Sequence, residues 1–175
     1  MPKLRISRWQ LLGVVAGFLA GGLIVLVLFL VFGKSHSPIP VKISKQLEAP
    51  ALLPATTSNS FSIDKASFKY DSANKVLSYI VDTSPPVIHI TITEQPTPSE
   101  FIDIPDAYTK LVNSFSPFLT FDSPPGTVNI GRPTQLHGNQ AAVLQGQGDL
   151  LFAHPDHDLT ETQWRQLFNS LSITK

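Results

Sequence analysis

The sequence predicts an α+β fold in which one N-terminal transmembrane helix precedes a mainly antiparallel sheet of about six strands with helices packed on it. Three observations predict it. Residues 11–32 run for 22 positions without a charge, Asn, Gln, Ser or Thr. The middle of the chain alternates apolar and polar residues with the period of two that a half-buried strand requires. Near the C-terminus, Thr160 stands three residues before Gln163 at the head of an apolar stripe, the signature of a capped amphipathic helix.

The apolar run comes first in the chain. At ~1.5 Å per residue it makes a helix of about 33 Å, enough to cross a ~30 Å hydrocarbon core. Lys3, Arg5 and Arg8 precede it and only Lys34 follows closely, so the positive-inside bias predicts a cytoplasmic N-terminus and an outward-facing remainder. The run is longer than a signal-peptide core and Val31-Phe32-Gly33-Lys34 lacks a small-x-small cleavage site, which predicts an uncleaved signal anchor. Gly13, Gly17 and Gly21 recur at i, i+4 and i+8 beside Ala16 and Ala20. That stripe lets another helix backbone approach closely, so a membrane-helix partner or a homodimer is the expected use of these three glycines. The organisation read from these features is a basic cytoplasmic tip at 1–10, the span at 11–32, a juxtamembrane spacer at 33–40 and an outer domain at 41–175.

Within the outer domain, Pro40 is placed to open a short helix with Ile43 and Leu47 on one face, ended by Ala49-Pro50. Ala51-Leu52-Leu53-Pro54 is an apolar stretch closed by proline, and 55–60 reads as a loop. Ala66, Phe68 and Tyr70 share one side of a strand; Asp71 to Lys75 turn the chain into Val76–Val81, predicting a hairpin. Ile88, Ile90 and Ile92 then alternate with His89, Thr91 and Thr93, the clearest strand in the chain. Pro96 and Pro98 end it. Pro105 suits a first helical turn, followed by Ala107, Tyr108, Leu111, Val112 and Phe115 on one face. Phe118, Leu119 and Phe121 form another apolar stretch, Val128 and Ile130 suggest a strand, and 140–145 with 150–153 predict a second hairpin around Gly146-Gln147-Gly148-Asp149. In the last helix Leu159 is placed to staple against Trp164, while Trp164, Leu167, Phe168 and Leu171 recur at helical spacing and are expected to pack on the sheet.

Composition excludes several kinds of chemistry. No cysteine is present, so disulfides, thiolate metal sites and a cysteine nucleophile are absent. Thirteen Lys and Arg balance 13 Asp and Glu, and the basic residues are not clustered among aromatics, so nucleic acid is not an expected partner. The zero net charge conceals a polarity: three basic residues stand before the apolar run, leaving 10 Lys and Arg against 13 Asp and Glu after it. The mean hydropathy of +0.10 owes most to the apolar run itself.

Few residues suggest an active site. His154-Pro155-Asp156-His157-Asp158 places two imidazoles and two carboxylates within five residues, so His154, Asp156, His157 and Asp158 are the candidate metal ligands and the basis of an alternative reading as a metal-assisted hydrolase. The plainer expectation is a polar loop whose acids favour the following helix N-terminus. His89 lies on the polar side of its strand, and His137 opens a turn. Glu94 and Glu100 flank a proline-rich turn and are expected to be exposed. No nucleophile elbow, Ser-x-x-Lys pair or phosphate-cradling glycine loop occurs, so no catalytic residue and no cofactor is predicted.

The order of certain short segments carries a resemblance. Leu53-Pro54, Glu94-Gln95-Pro96-x-Pro98 with Phe101 after it, the Gly138-Asn139-Gln140-Ala141 turn into a strand, and a closing helix ending in Ser170-Leu171 cover about residues 41–171. In this order the chain resembles small, single-pass extracytoplasmic bacterial proteins of unknown function, similar to the outer domains of membrane-anchored anti-sigma and sporulation proteins. The resemblance implies this fold and an extracytoplasmic location; the single anchor, the compact domain with alternating strands and the lack of a catalytic signature predict a membrane-tethered, non-enzymatic binding or assembly domain facing an unidentified envelope protein or ligand.

Overall fold

The structure, a computed structural model, describes residues 37–55, 60–104, 106–133 and 138–174. The expected cytoplasmic tip, the membrane span and its Gly13, Gly17 and Gly21 stripe lie outside the described residues, as do Pro105 and His137. Among the described residues no helix is long and apolar enough to cross a membrane.

The described chain is an α+β fold built on a seven-stranded antiparallel sheet. Its strands are β2 (Phe61–Asp71), β3 (Val76–Thr83), β4 (His89–Pro96), β5 (Pro117–Ser123), β6 (Gly126–Gly131), β7 (Ala141–Gly146) and β8 (Asp149–Pro155), in the order β2-β3-β4-β8-β7-β6-β5. Two meanders make this sheet. The first, β2 to β4, is joined to the second through the β4–β8 pairing, in which Ile92 stands opposite Ala153 and Glu94 opposite Leu151. A separate two-stranded ribbon pairs β1 (Ala51–Pro54) with β9 (Leu171–Thr174), Leu53 opposite Ser172.

Alternation assigns the two faces. Val81, Ile90, Ile92, Val128, Ile130, Ala142, Leu144, Leu151 and Ala153 are completely buried on one of them. They are covered by Trp164, Leu167 and Phe168 of the helix Glu161–Ser170 and by Leu52, Leu53 and Leu171 of the ribbon. The opposite face is covered over part of its extent. There Ala141, Val143 and Leu150 pack with Phe115 against Phe101, Tyr108, Leu111 and Val112, side chains from the short helices α2 (Glu100–Asp103) and α3 (Ala107–Ser114) and their flanks. Over β4 the same face carries exposed His89 and Thr91. We number the helix Val41–Ser44 α1 and Glu161–Ser170 α4.

Several expectations are met in detail. The Thr160–Gln163 capping box is present, with Gln163 N donating to Thr160 Oγ1 and the Gln163 side chain returning to Thr160 N. Leu159 and Trp164, the expected staple, are both buried. The turn at 71–75 is held by Asp71, which accepts hydrogen bonds from Ala73 N and from the Asn74 side chain.

Other expectations are corrected. The sheet has seven strands, with a further ribbon of two, where about six were expected. The apolar stretches at 51–54 and 117–123 are strands. Leu171 does not end the last helix: its extended backbone opens β9, because pairing with Pro54 replaces another helical turn. The first helix closes after one turn at Ser44, although Ile43 and Leu47 both still pack on the core. Ile39, in the expected spacer, is only 4% exposed and belongs to that core.

Both sheet edges are interrupted. In β2 the register shifts between Asp64 and Lys69, and Ser67 Oγ accepts the Ile80 N–H at 2.7 Å where a regular ladder bond would lie. In β5 it shifts between Pro117 and Leu119. Bulges of this kind twist an edge away from further pairing. Gly131, beside the second bulge, has the Phe115 carbonyl where a Cβ would stand, so the chain can pass there only as glycine.

Candidate functional site

The residues of the His154–Asp158 loop do not converge. His154 is on β8 opposite Thr91, partly buried, with an Nε2 that has no hydrogen-bond partner. Asp156 Oδ1 accepts the His89 N–H at 3.1 Å and faces His157 Nδ1 at 3.1 Å, while His157 points largely into solvent. Asp158 turns to the Arg132 guanidinium, which grips both its oxygens and also donates to the Gly138 carbonyl at 2.6 Å. That guanidinium hydrogen bond holds the Asp158 carboxyl below its ordinary pKa. The loop is thus tied by hydrogen bonds and ion pairs within the protein. Among the described residues no three His, Asp or Glu side chains are grouped so as to hold a metal ion.

Beside this loop, His89 Nδ1 lies 2.7 Å from Asp82 Oδ1, a cross-strand pair on the solvent face of β3 and β4. The Asp82 hydrogen bond raises the imidazole pKa above its ordinary value. Glu100, by contrast, is exposed on α2, as expected.

Glu94 departs from expectation. It is 5% exposed, on the core face of β4 in the row occupied by Ile90 and Ile92. Its Oε2 accepts the Leu52 N–H at 2.9 Å, and the Leu52 carbonyl accepts the Tyr79 hydroxyl at 2.5 Å. Glu94 and Tyr79 therefore satisfy both polar groups of one β1 residue and fasten the ribbon to the sheet. The second oxygen, Oε1, is buried without a partner. Burial dominates the carboxyl's chemistry: it pushes the pKa up to about 8, against the opposing Leu52 N–H bond and with the nearby Asp149 adding to the rise. Asp149, 8% exposed at the start of β8, is raised by desolvation as well. Desolvation also drives the Tyr79 hydroxyl well above its usual range.

Glu94 also lines a small cleft of about 30 Å³. Glu94 and Asp149, with the exposed Glu48, provide its acidic lining, and Leu47, Pro50, Leu77 and Pro96 its apolar wall. Tyr70 lines it too, and the exposed ion pair of Lys75 Nζ with Glu48 Oε2, at 2.6 Å, stands at its outer side. A space of this size has room for a water-sized group. With its pKa raised to about 8, Glu94 holds a proton at neutral pH, so the cleft offers a neutral carboxyl able to donate or accept a hydrogen bond, beside the Asp149 carboxyl.

The signal for this site is in the strand periodicity. Glu94 continues the Ile88-Ile90-Ile92 row, and Asp149 precedes Leu151 and Ala153 at the same spacing, so alternation already places both acids on the buried side. Comparison with protein-family models, with curated proteins and with solved structures finds no match to this chain.

Proposed function

We propose that the chain is a single-pass, membrane-tethered extracytoplasmic domain that serves as a non-enzymatic binding or assembly module, using the Glu94–Asp149 cleft to engage its ligand. The observation that carries this reading is the buried, unpartnered Oε1 of Glu94 beside a small cavity. An unpaired polar atom in a core costs about 1–3 kcal/mol and is tolerated where a ligand completes it. The uncharged run at 11–32 and the basic residues before it support the tether.

The cleft has room for a small protruding group beside Glu94 and Asp149, and recognition of such a group is the reading its lining supports. The test is site-specific photocrosslinking in intact cells. A photoreactive residue replacing Glu48, at the cleft, should give an adduct that is lost when Glu94→Gln is added, while one replacing Lys110, on α3, should not. Equal labelling from both positions, or adducts indifferent to Glu94, would overturn the reading. Membrane fractionation tests the tether: the chain should sediment with membranes and remain there after a high-salt wash, and its release by salt would count against an embedded anchor.

A further inference from the structure

We propose that the Glu94–Asp149 cleft is a site for a primary ammonium group carried on an alkyl stem. The inference rests on the binding-module reading and specifies its ligand chemistry. Glu94 is 5% exposed and presents an oxygen with no hydrogen-bond partner, and Asp149, 8% exposed, lines the same cavity from the neighbouring strand. An unpartnered carboxyl oxygen beside a second acid calls for a donor bearing positive charge, which draws Glu94 into its ionised, accepting form.

The surroundings select among cations. A hard metal ion needs six or more oxygen ligands, or several retained waters. Here the apolar walls are Leu47, Pro50, Leu77 and Pro96, with Gln95, Glu48 and Lys75 completing the lining, and among the described residues no three His, Asp or Glu side chains are grouped to hold a metal ion. An –NH₃⁺ head is about the size of water, donates three hydrogen bonds and brings methylenes that pack on apolar side chains. Tyr70 offers a ring at the same wall, a surface that attracts cations. At the outer side, Lys75 already reaches Glu48 with its own ammonium. That exposed pair shows the chemistry at the entrance without reaching the buried oxygen.

Binding has a definite proton balance. The empty cleft retains a proton at neutral pH because burial and the proximity of Asp149 hold Glu94 neutral. The other titratable groups at the cleft are Tyr70, Tyr79, Glu48 and Lys75. An entering ammonium stabilises the carboxylate, so the Glu94 proton passes to solvent as the cation binds.

The experiment uses the full ¹⁵N-labelled chain in neutral detergent, with the Leu52 amide resonance as reporter, since that N–H donates to Glu94. The probes are n-butylammonium and Nα-acetyl-lysine methylamide, with the Nε-acetylated lysine analogue and potassium chloride as controls. Saturable movement of the Leu52 resonance by either ammonium probe at pH 7, with proton release and without response to the controls, is the expected result. Glu94→Gln should weaken it at least about tenfold, and Asp149→Asn should weaken it less. Glu94→Gln removes a buried ionisable group and is expected to fold, and the Nε-acetylated probe makes the same test on the unaltered protein.

A lysine probe saturating at about one-tenth the concentration of butylammonium, or less, assigns the site to a lysine side chain of a polypeptide; a smaller difference assigns it to a free amine. No saturable response, or equal response to the Nε-acetylated analogue, overturns the proposal and leaves a water-filled cavity. Photocrosslinks from position 48 that persist alongside such a failure would retire the ammonium and retain the binding module. Amine binding without those crosslinks would do the reverse.

Discussion

Gln140 and Glu94 perform the same mechanical task in two regions of the covering layer, and only one of them is complete. Gln140 Oε1 accepts both the Leu159 N–H, at 3.0 Å, and the Trp164 indole N–H, at 2.8 Å, so one buried oxygen fixes the entry to α4 and its largest side chain. Glu94 holds Leu52 of β1 with one oxygen and leaves the other unpaired. The neutral amide belongs to a finished core. The carboxyl, with its raised pKa and adjoining space, costs stability at neutral pH that a neutral side chain would not cost. A buried group whose titration is displaced into the working pH range beside a cleft marks a candidate site.

The largest expected effect follows from that difference. Unfolded, the Glu94 carboxyl titrates near 4.5; folded, it keeps its proton to about pH 8. Between those values the folded state binds more protons, so its stability falls as pH rises and levels off above the folded value. Glu94→Gln removes this dependence. Comparing urea unfolding of variant and parent at pH 4 and pH 9, the balance should move in the variant's favour by up to ~5 kcal/mol. A difference that does not change with pH would place the carboxylate in contact with solvent or a cation, and would break the comparison with Gln140.

Gln140→Leu should behave in the opposite sense. It leaves two buried donors unpaired and should cost about 2–4 kcal/mol, equally at pH 4 and pH 9. Tyr79→Phe is smaller: it removes the hydroxyl from the Leu52 carbonyl while preserving the ring stacked on Phe68, at a centroid distance of 5.2 Å. The expected loss is about 1–2 kcal/mol. Amide hydrogen exchange should show it concentrated in β1, with protection at Leu52 reduced and that of β7 unchanged. Loss spread evenly over the sheet would mean that Tyr79 supports the core and does not fasten the ribbon.

How much of this was legible follows from the range of the signals. Period-two alternation identified β3 and β4, the Gly146-Gln147-Gly148-Asp149 turn identified the β7–β8 hairpin, and the Thr160–Gln163 spacing identified the start of α4, because each is decided by residues a few positions apart. Continuing the Ile88-Ile90-Ile92 row reaches Glu94, yet an acid beside a proline-rich turn was expected to be exposed, and Asp149 was read as part of a turn. What buries Glu94 is β1, 42 residues away in sequence, and β1 is a strand because it meets β9 more than a hundred residues later. No local pattern carries such pairings. The same reason explains Leu171, whose helical spacing was genuine and whose partner across the ribbon took precedence. Conversely, the His154–Asp158 cluster was conspicuous in sequence because its members are adjacent. In space Asp158 is turned to Arg132 and Asp156 to His89, and adjacency in the chain did not become a shared centre.

The smallest effect sharpens the assignment of the first. The Asp82–His89 pair raises the imidazole pKa, so its stabilising contribution is fully present below the unfolded histidine value and fades as pH rises through the folded one. That decline runs in the same direction as the decline due to Glu94 and overlaps it near neutrality. Asp82→Asn separates them. It removes the partner at 2.7 Å, and the His89 ring resonance, followed by NMR titration, should move back toward the ordinary histidine value of about 6.5. Asp156 and Asp64 remain near the ring and keep part of the elevation. The stability of Asp82→Asn should still fall with rising pH up to about pH 8, since Glu94 is untouched, whereas Glu94→Gln should retain only the weak decline from the exposed pair. If Asp82→Asn instead abolished the decline, the pH dependence would belong to the solvent-exposed corner, and the buried carboxyl would lose its claim to be the titrating group.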